Sequence, residues 1–427
     1  MRVGFSESDI TPKNLPVELS GYGYFLNRMG TSVESPLKAS VLTFEDEDGI
    51  QAAICGADVI SVDQETVSKV SQAVTKLSKG KYADATILIN PSHTHSGPAS
   101  FNFVGAGGYN SEYVDNNLVP GLARNIVDSF NSATEGEIGI ARAAVEGLSY
   151  NRTGDEFVDN RITSIRADAE RLAMGGLHFA CHPVVYGKNS TVISSEYPGY
   201  ARRVFKDRVG TDTELWLSGC YGDIDPLVNK TRKGQTSKAD VELLGTEIGL
   251  EAADLYSTVI TEAGKLCVAS TVVEVPINTE FELDPAVEVE VYRESRRLSK
   301  EQDLSPLKRW LEAVAPAVNA NQSNSTHVPV TLIGVGRVVF AGLGAEVYSQ
   351  TGVAIEQQHP SVQIVTLGGS NENKGYIPVR EEYDREAYAA RSSAFIFGRK
   401  PLSPNSEIVF REGVEAEIGK IVEALAA

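Results

Sequence analysis

The chain has 427 residues, 42% of them hydrophobic and 22% charged, with 57 acidic against 39 basic side chains and a formal net charge of −18. This is ordinary globular composition with enough chain for a large core, and the acidic excess argues against nucleic acid or an anionic membrane surface as a partner. No apolar run approaches bilayer length, residues 1–7 lack a basic-plus-apolar leader pattern, and the widely spaced Cys55, Cys181, Cys220 and Cys267 read as reduced thiols, so the expectation is a cytoplasmic protein.

Residues 40–44 and 51–57 flank an acidic turn ending at Gly49 and predict a hairpin. Val67, Val70, Val74 and Leu77 recur at helical spacing, with Ser61 or Asp63 as the cap, and predict a helix over 63–77. A strand is expected over 85–89 and a glycine-rich loop over 103–108. A further helix is expected over 111–129, interrupted at Pro120-Gly121. Strands follow at 137–144, 174–180 and 214–217. Residues 283–318 read as a helical stretch broken near Pro306, and 328–333 with 337–341 as a hairpin around Gly334-Val335-Gly336. Asn319 to Thr326 is linker-like but too short to mark a domain boundary. The alternation predicts an α/β fold of mixed β-sheets flanked by helices.

Five segments place polar groups just past apolar runs, where α/β folds collect their sites. Ser92-His93-Thr94-His95-Ser96-Gly97-Pro98 puts two imidazoles at i and i+2, suited to a metal or acid/base site, or to a polar turn. His178-Phe179-Ala180-Cys181-His182-Pro183 adds two more; on one strand they would share a face, and His178 alone reads as a core imidazole. Gly222-Asp223-Ile224-Asp225-Pro226 offers two carboxylates, or an Asp-Pro turn. Glu346 follows Gly342-Leu343-Gly344, and Gly368 to Pro378 is a glycine-rich stretch that contains Tyr376.

In their order these segments resemble the catalytic domain of the neutral/alkaline non-lysosomal ceramidases. The resemblance also takes in Ser8-Asp9-Ile10-Thr11-Pro12, Gly21-Tyr22-Gly23, Tyr150-Asn151-Arg152 and Glu381-Glu382-Tyr383. It implies one zinc ion held by His93, His182, Glu346 and Tyr376, with His95 as the alternative to His93 or else an oxyanion-stabilising neighbour. Imidazole and carboxylate suit Zn²⁺, and a dication favours the phenolate of a tyrosine ligand. The resemblance further implies Arg152 as a substrate-holding arginine and a second tyrosine at Tyr388, with Tyr383 as the other candidate.

Two departures shape the expectation. Asp225 stands where the family's motif carries a serine, which excludes a serine nucleophile at that position. The chain ends at Ala427, about where the family's catalytic domain ends. One catalytic domain over 1–427 without the C-terminal β-sandwich is therefore expected, and a substrate more soluble than a long-chain membrane lipid. The leading expectation is a zinc-dependent amide hydrolase acting on a small molecule, with Asp225 or His95 moving the proton. The alternatives are an ester or lactone hydrolase on the same metal, a non-catalytic binding homologue, and a second cation held by Asp223 and Asp225.

Overall fold

The computed structural model describes residues 1–22, 28–104, 108–170, 172–232, 235–295 and 297–427. Among these, the larger sheet has eight strands, in the order Thr213–Ser218, Leu172–Phe179, Arg161–Ala169, Thr134–Ala144, Arg2–Asp9, Lys38–Glu45, Gln51–Ala57 and Thr86–Pro91. Its pairs are antiparallel except two: Gln51–Ala57 with Thr86–Pro91, and Leu172–Phe179 with Thr213–Ser218. A four-stranded sheet runs Leu266–Pro276, Ser325–Val335, Val338–Leu343, Gln363–Gly368, with the last pair parallel.

The period-two alternation of each strand decides which layer its side chains enter. Val41, Ala53 and Cys55 face the helices Gln64–Leu77 and Val119–Ser132. Their neighbours Leu42, Phe44, Ala52 and Ile54 face the second sheet, against Ile333, Phe340, Val365 and Leu367. The far side of that sheet is covered by Phe410, Val414, Ile418 and Ile421 of the helix Ser406–Ala426. The result is helix, sheet, sheet, helix. Strands such as Gln51–Ala57, buried almost throughout, read as continuous apolar runs because both faces are covered.

The larger sheet curls back on itself. A Cβ on Gly56 would lie 2.5 Å from the Trp216 carbonyl oxygen, so glycine is what lets the edge strand approach. All four cysteines are buried and free of disulfides. Among the described residues no helix is long and apolar enough to cross a membrane.

The mixed α/β architecture is as expected, as are the hairpin at 40–57 and the Asp63-capped helix. Three local expectations need correction. The helix around Pro120 is not broken there: a π turn over Val114–Leu118 precedes it, and Pro120 sits in the first turn of Val119–Ser132, where a missing N–H costs least. The strand carrying His178 stops at Phe179, so His182 lies beyond it and the two imidazoles do not share a strand face. Residues 319–326 hold no free linker, since the helix Ser305–Ala320 and the strand Ser325–Val335 occupy both ends. Within the expected glycine-rich loop, residues 105–107 lie outside the described residues.

Candidate metal centre

Each sequence-predicted site segment leaves the C-terminal end of a strand, and one buried amide draws three of those ends together. Asn90 Nδ2 donates to the carbonyls of Ser218 (3.3 Å) and Gly368 (2.9 Å) and to Ser370 Oγ (3.1 Å), while its Oδ1 accepts from the Ser218 N–H (2.6 Å). Asn371, in the left-handed region at φ 60°, completes the edge of the Thr86–Pro91 strand: its Oδ1 accepts from Ile89 N–H (2.7 Å) and its Nδ2 donates to the Ile87 carbonyl (2.8 Å).

His93 also adopts a left-handed backbone, φ 66°. That conformation is rare for a residue with a Cβ and is held here by its surroundings: its N–H bonds the Val59 carbonyl at 3.0 Å and its Nδ1 the Ile60 carbonyl at 2.7 Å. His182 is fixed the same way, with backbone N–H (3.0 Å) and Nδ1 (3.1 Å) both directed at the Ile224 carbonyl. A ring nitrogen facing a carbonyl must carry the proton, so each neutral imidazole presents its Nε2 lone pair to the interior. Tyr221 stacks on His93 (centroids 4.6 Å apart) and meets His182 edge-on (4.9 Å).

His95 is seated differently. Neither ring nitrogen has a hydrogen-bond partner among the described residues. Its ring meets Tyr22 edge-on at 4.8 Å, and Arg28 donates to its carbonyl. A Cβ on Gly21 would lie 2.4 Å from His95 Cγ. The three imidazoles offer ring nitrogens all within 4.8 Å of one another, a group able to hold a metal ion.

Glu346 completes the cluster. Its Oε2 lies 3.4 Å from His182 Nε2 and 3.8 Å from His93 Nε2, while its Oε1 accepts from Asn373 Nδ2 at 3.0 Å. Tyr376 pairs with Glu346 along two short parallel strands, which brings its hydroxyl to the carboxylate's side of the site. Arg152 Nη2 donates to Tyr376 Oη (2.9 Å) and to the Gly222 carbonyl (2.8 Å), and its Nη1 stands 3.4 Å from Asp225 Oδ1. The Tyr388 ring meets the Tyr376 ring at 5.9 Å. Tyr383 instead packs against the apolar cluster of the second sheet, so of the two candidates Tyr388 is the one beside the site.

Burial pushes His93 down to about 4, against the pull of Glu346. Burial, with His93 and His182 adding to it, drives His95 well below the ordinary range. Burial alone would raise Glu346, but His93, His182 and Tyr376 outweigh it and hold the carboxyl well below its usual value. Burial and Glu346 push the Tyr376 phenol up, opposed by Arg152.

A test of fit for a metal comes from the unpartnered atoms. His182 Nε2, both nitrogens of His95 and Glu346 Oε2 are buried with no hydrogen-bond partner among the described residues. Buried polar atoms left without a partner are costly, and imidazole nitrogen and carboxylate oxygen suit a divalent transition metal. The donor set fits a metal ion.

Two sequence alternatives resolve. His178 is a core imidazole, with Nε2 at 3.0 Å from the Thr366 carbonyl and Nδ1 at 3.3 Å from Thr163 Oγ1. Asp223 is not half of a second cation site. Its carboxylate accepts from Ser349 N–H (2.7 Å), Ser349 Oγ (2.9 Å) and Asn151 Nδ2 (2.8 Å), which occupies both of its oxygens; burial raises it to about 6. Sequence reasoning missed Asn90, Asn373, Tyr221 and Arg28. Only Asn90 had a signal, a buried amide ending an apolar strand beside a proline.

The model of the neutral/alkaline non-lysosomal ceramidase N-terminal region matches residues 1–237. Neutral ceramidase B of Dictyostelium discoideum is 25% identical over 229 residues, 49% of this chain, and the match spans only 32% of that relative. The fold is similar to that of neutral ceramidase from Pseudomonas aeruginosa, with a TM-score of 0.76 at 18% identity over 97% of this chain and 73% of that one. It is also similar to a ceramidase complexed with C2, with a TM-score of 0.78 at 17% identity over 99% of this chain and 75% of the other. With more than half of its length matched by the family model, the chain belongs to the neutral/alkaline non-lysosomal ceramidase family.

Proposed function

We propose that this protein is a metal-dependent hydrolase that cleaves an amide bond in a small, soluble substrate, with one zinc ion per chain held by His93, His182, Glu346 and Tyr376. The observation that carries the reading is the grouping of ring nitrogens of His93, His95 and His182 within 4.8 Å of one another, with Glu346 Oε2 3.4 Å from His182 Nε2. Family membership supports amide hydrolysis as the reaction class.

When bound, the zinc supplies a Lewis acid that polarises a carbonyl and acidifies water. The remaining work falls to the chain. Arg152 fixes the Tyr376 hydroxyl and keeps a cation beside it. That favours a phenolate once a dication is present. His95 is neutral and has two free ring nitrogens, so it can donate one hydrogen bond to a developing oxyanion. Asp225 Oδ1, beside Arg152 and 3.8 Å from His182 Nδ1, is the acceptor for a proton or a cationic leaving amine. Tyr388 borders Tyr376 and is 39% exposed, which supports a role for it in contacting the incoming substrate. A soluble substrate is favoured by Asp225, whose carboxylate takes the place of the family's serine.

The test is elemental analysis of the purified protein together with turnover on matched amide and ester substrates. About one equivalent of zinc, lost in His93→Ala and His182→Ala, with chelator-sensitive amide cleavage, is expected. Well-folded protein that takes up no zinc, or cleavage that survives both chelation and His93→Ala, would overturn the reading.

A further inference from the structure

A cavity of about 290 Å³ lies beside the metal centre. It is lined by Arg399, Lys374, Glu372, Asn373, Asn321 and Ser323, among others. Asn373 is common to both places, since its Nδ2 holds Glu346 Oε1 at 3.0 Å. Phe101, also in the lining, belongs to one apolar cluster with Ile60, whose carbonyl orients His93. The size is at the lower end of small-molecule sites.

Arg399 is only 6% exposed. Its Nη1 donates to the Lys400 carbonyl at 3.0 Å and its Nη2 to the Lys374 carbonyl at 2.8 Å, but its buried Nε has no partner among the described residues. No carboxylate among the described residues lies within ion-pairing distance of it. Burial lowers it only to about 10, so it stays cationic at neutral pH. A buried charge without a counter-charge is costly and calls for one. Lys374 adds a second cation, offset by Glu372 at 3.0 Å. The lining therefore carries one net positive charge in a chain whose net charge is −18.

We propose that this cavity is an anion-binding subsite that takes a carboxylate, with Arg399 as the counter-charge and Lys374 as its second donor. The carboxylate belongs to the acidic end of the amide substrate or to a free small acid. Only the first source rests on the proposed hydrolase reading. Guanidinium binds carboxylate through charge-assisted hydrogen bonds, and Lys374, on the same lining, adds an ammonium.

The probes are N-acetylglycine and its neutral counterpart N-acetylglycinamide, titrated calorimetrically into the full-length protein. N-acetylglycine is expected to bind about tenfold tighter or better, the worth of one charge-assisted contact. Arg399→Gln should erase that preference. Glu372→Gln, which frees Lys374, should enlarge it about threefold or more, a gain that general damage would not give. His182→Ala should leave it in place. If Arg399→Gln does not fold, Lys374→Gln must weaken the preference while Glu372→Gln strengthens it. No preference in the wild type, a preference unchanged in folded Arg399→Gln, or one lost in His182→Ala would each overturn the subsite.

Turnover separates the two sources. Cleavage of N-acetylglycine with KM raised and kcat little changed in Arg399→Gln identifies the substrate's own carboxylate. Binding without cleavage identifies a free acid. Absence of all amide cleavage alongside retained binding refutes the hydrolase reading and leaves the subsite standing.

Discussion

His182 Nε2 stands 3.4 Å from Glu346 Oε2, and both atoms are buried acceptors with no donor between them. The Nδ1 proton of His182 is given to the Ile224 carbonyl, and Glu346 Oε1 is already engaged by Asn373. Glu346→Gln keeps its oxygen on Asn373 and turns its amide N–H₂ toward the two imidazoles. In chelator, this variant is expected to be more stable than the wild type by about 1–3 kcal/mol, the cost of an unmet buried acceptor. It should also bind zinc far more weakly. Urea unfolding in EDTA checks the first effect and elemental analysis the second. A variant less stable than metal-free wild type would mean that no cation is missing between these atoms.

Gly21 separates the roles of the histidines. At φ 104° a side chain is already strained, and a Cβ would lie 2.4 Å from His95 Cγ and 2.9 Å from Ile60 Cδ1. Gly21→Ala is therefore expected to displace His95, with a cost of about 1–3 kcal/mol in stability and a loss of roughly a hundredfold in kcat. Zinc content should stay near one equivalent, because His93 and His182 are anchored elsewhere, on Ile60 and Ile224. If the metal leaves with activity, His95 is a ligand and the assignment of Glu346 and Tyr376 needs revision.

The parts of the site that were legible in the sequence share one property: a polar residue directly after an apolar run. His93, His182, Asp225, Glu346 and Tyr376 could be found because strand ends are readable from hydrophobic pattern, and because their order along the chain carries the family resemblance. The eight-stranded order of the larger sheet was not readable, since its partners are set by contacts as distant as Gly56 with Trp216. Asn90 and Asn371 bind strand ends that are far apart in sequence; Asn90 is marked only by ending an apolar strand beside a proline, and nothing local marks Asn371. The His178–His182 spacing suggested a shared face only because periodicity cannot say where a strand stops. Asp223 and Asp225 look alike in sequence but divide their work, one bracing the Ser349 helix start, the other pairing Arg152.

Asp225 tests the proton-handling step directly. Asp225→Asn preserves shape, keeps Arg152 on Gly222 and Tyr376, and removes the carboxylate. If Asp225 moves the proton, kcat should fall about a hundredfold with zinc content unchanged, in the range of a lost general base. A loss below about threefold would transfer that role to His95. A rise in KM with kcat intact would make Asp225 a contact to a cationic substrate group instead.

Glu196 supplies the pH dependence of the fold. It is fully buried in the left-handed region, φ 59°, and its carboxylate accepts from the N–H groups of Tyr186 (2.6 Å) and Tyr197 (3.3 Å). Burial raises it to about 7, with Glu34 adding and those N–H bonds opposing. The folded chain therefore holds this proton more tightly than the unfolded chain, whose carboxyl titrates near 4.5. The resulting stability is fully present below that lower value, is lost as pH rises toward 7, and stays absent above it. Wild-type unfolding free energy should fall across pH 5 to 7 by about 2 kcal/mol more than that of Glu196→Gln. Subtracting the variant removes the same-signed contribution of Asp223, raised to about 6. The effect reaches the site, because Tyr22 donates to the Tyr186 carbonyl at 2.5 Å and meets the edge of His95. Chemical denaturation at four pH values decides it: equal slopes for wild type and Glu196→Gln would mean that Glu196 does not hold its proton near neutrality.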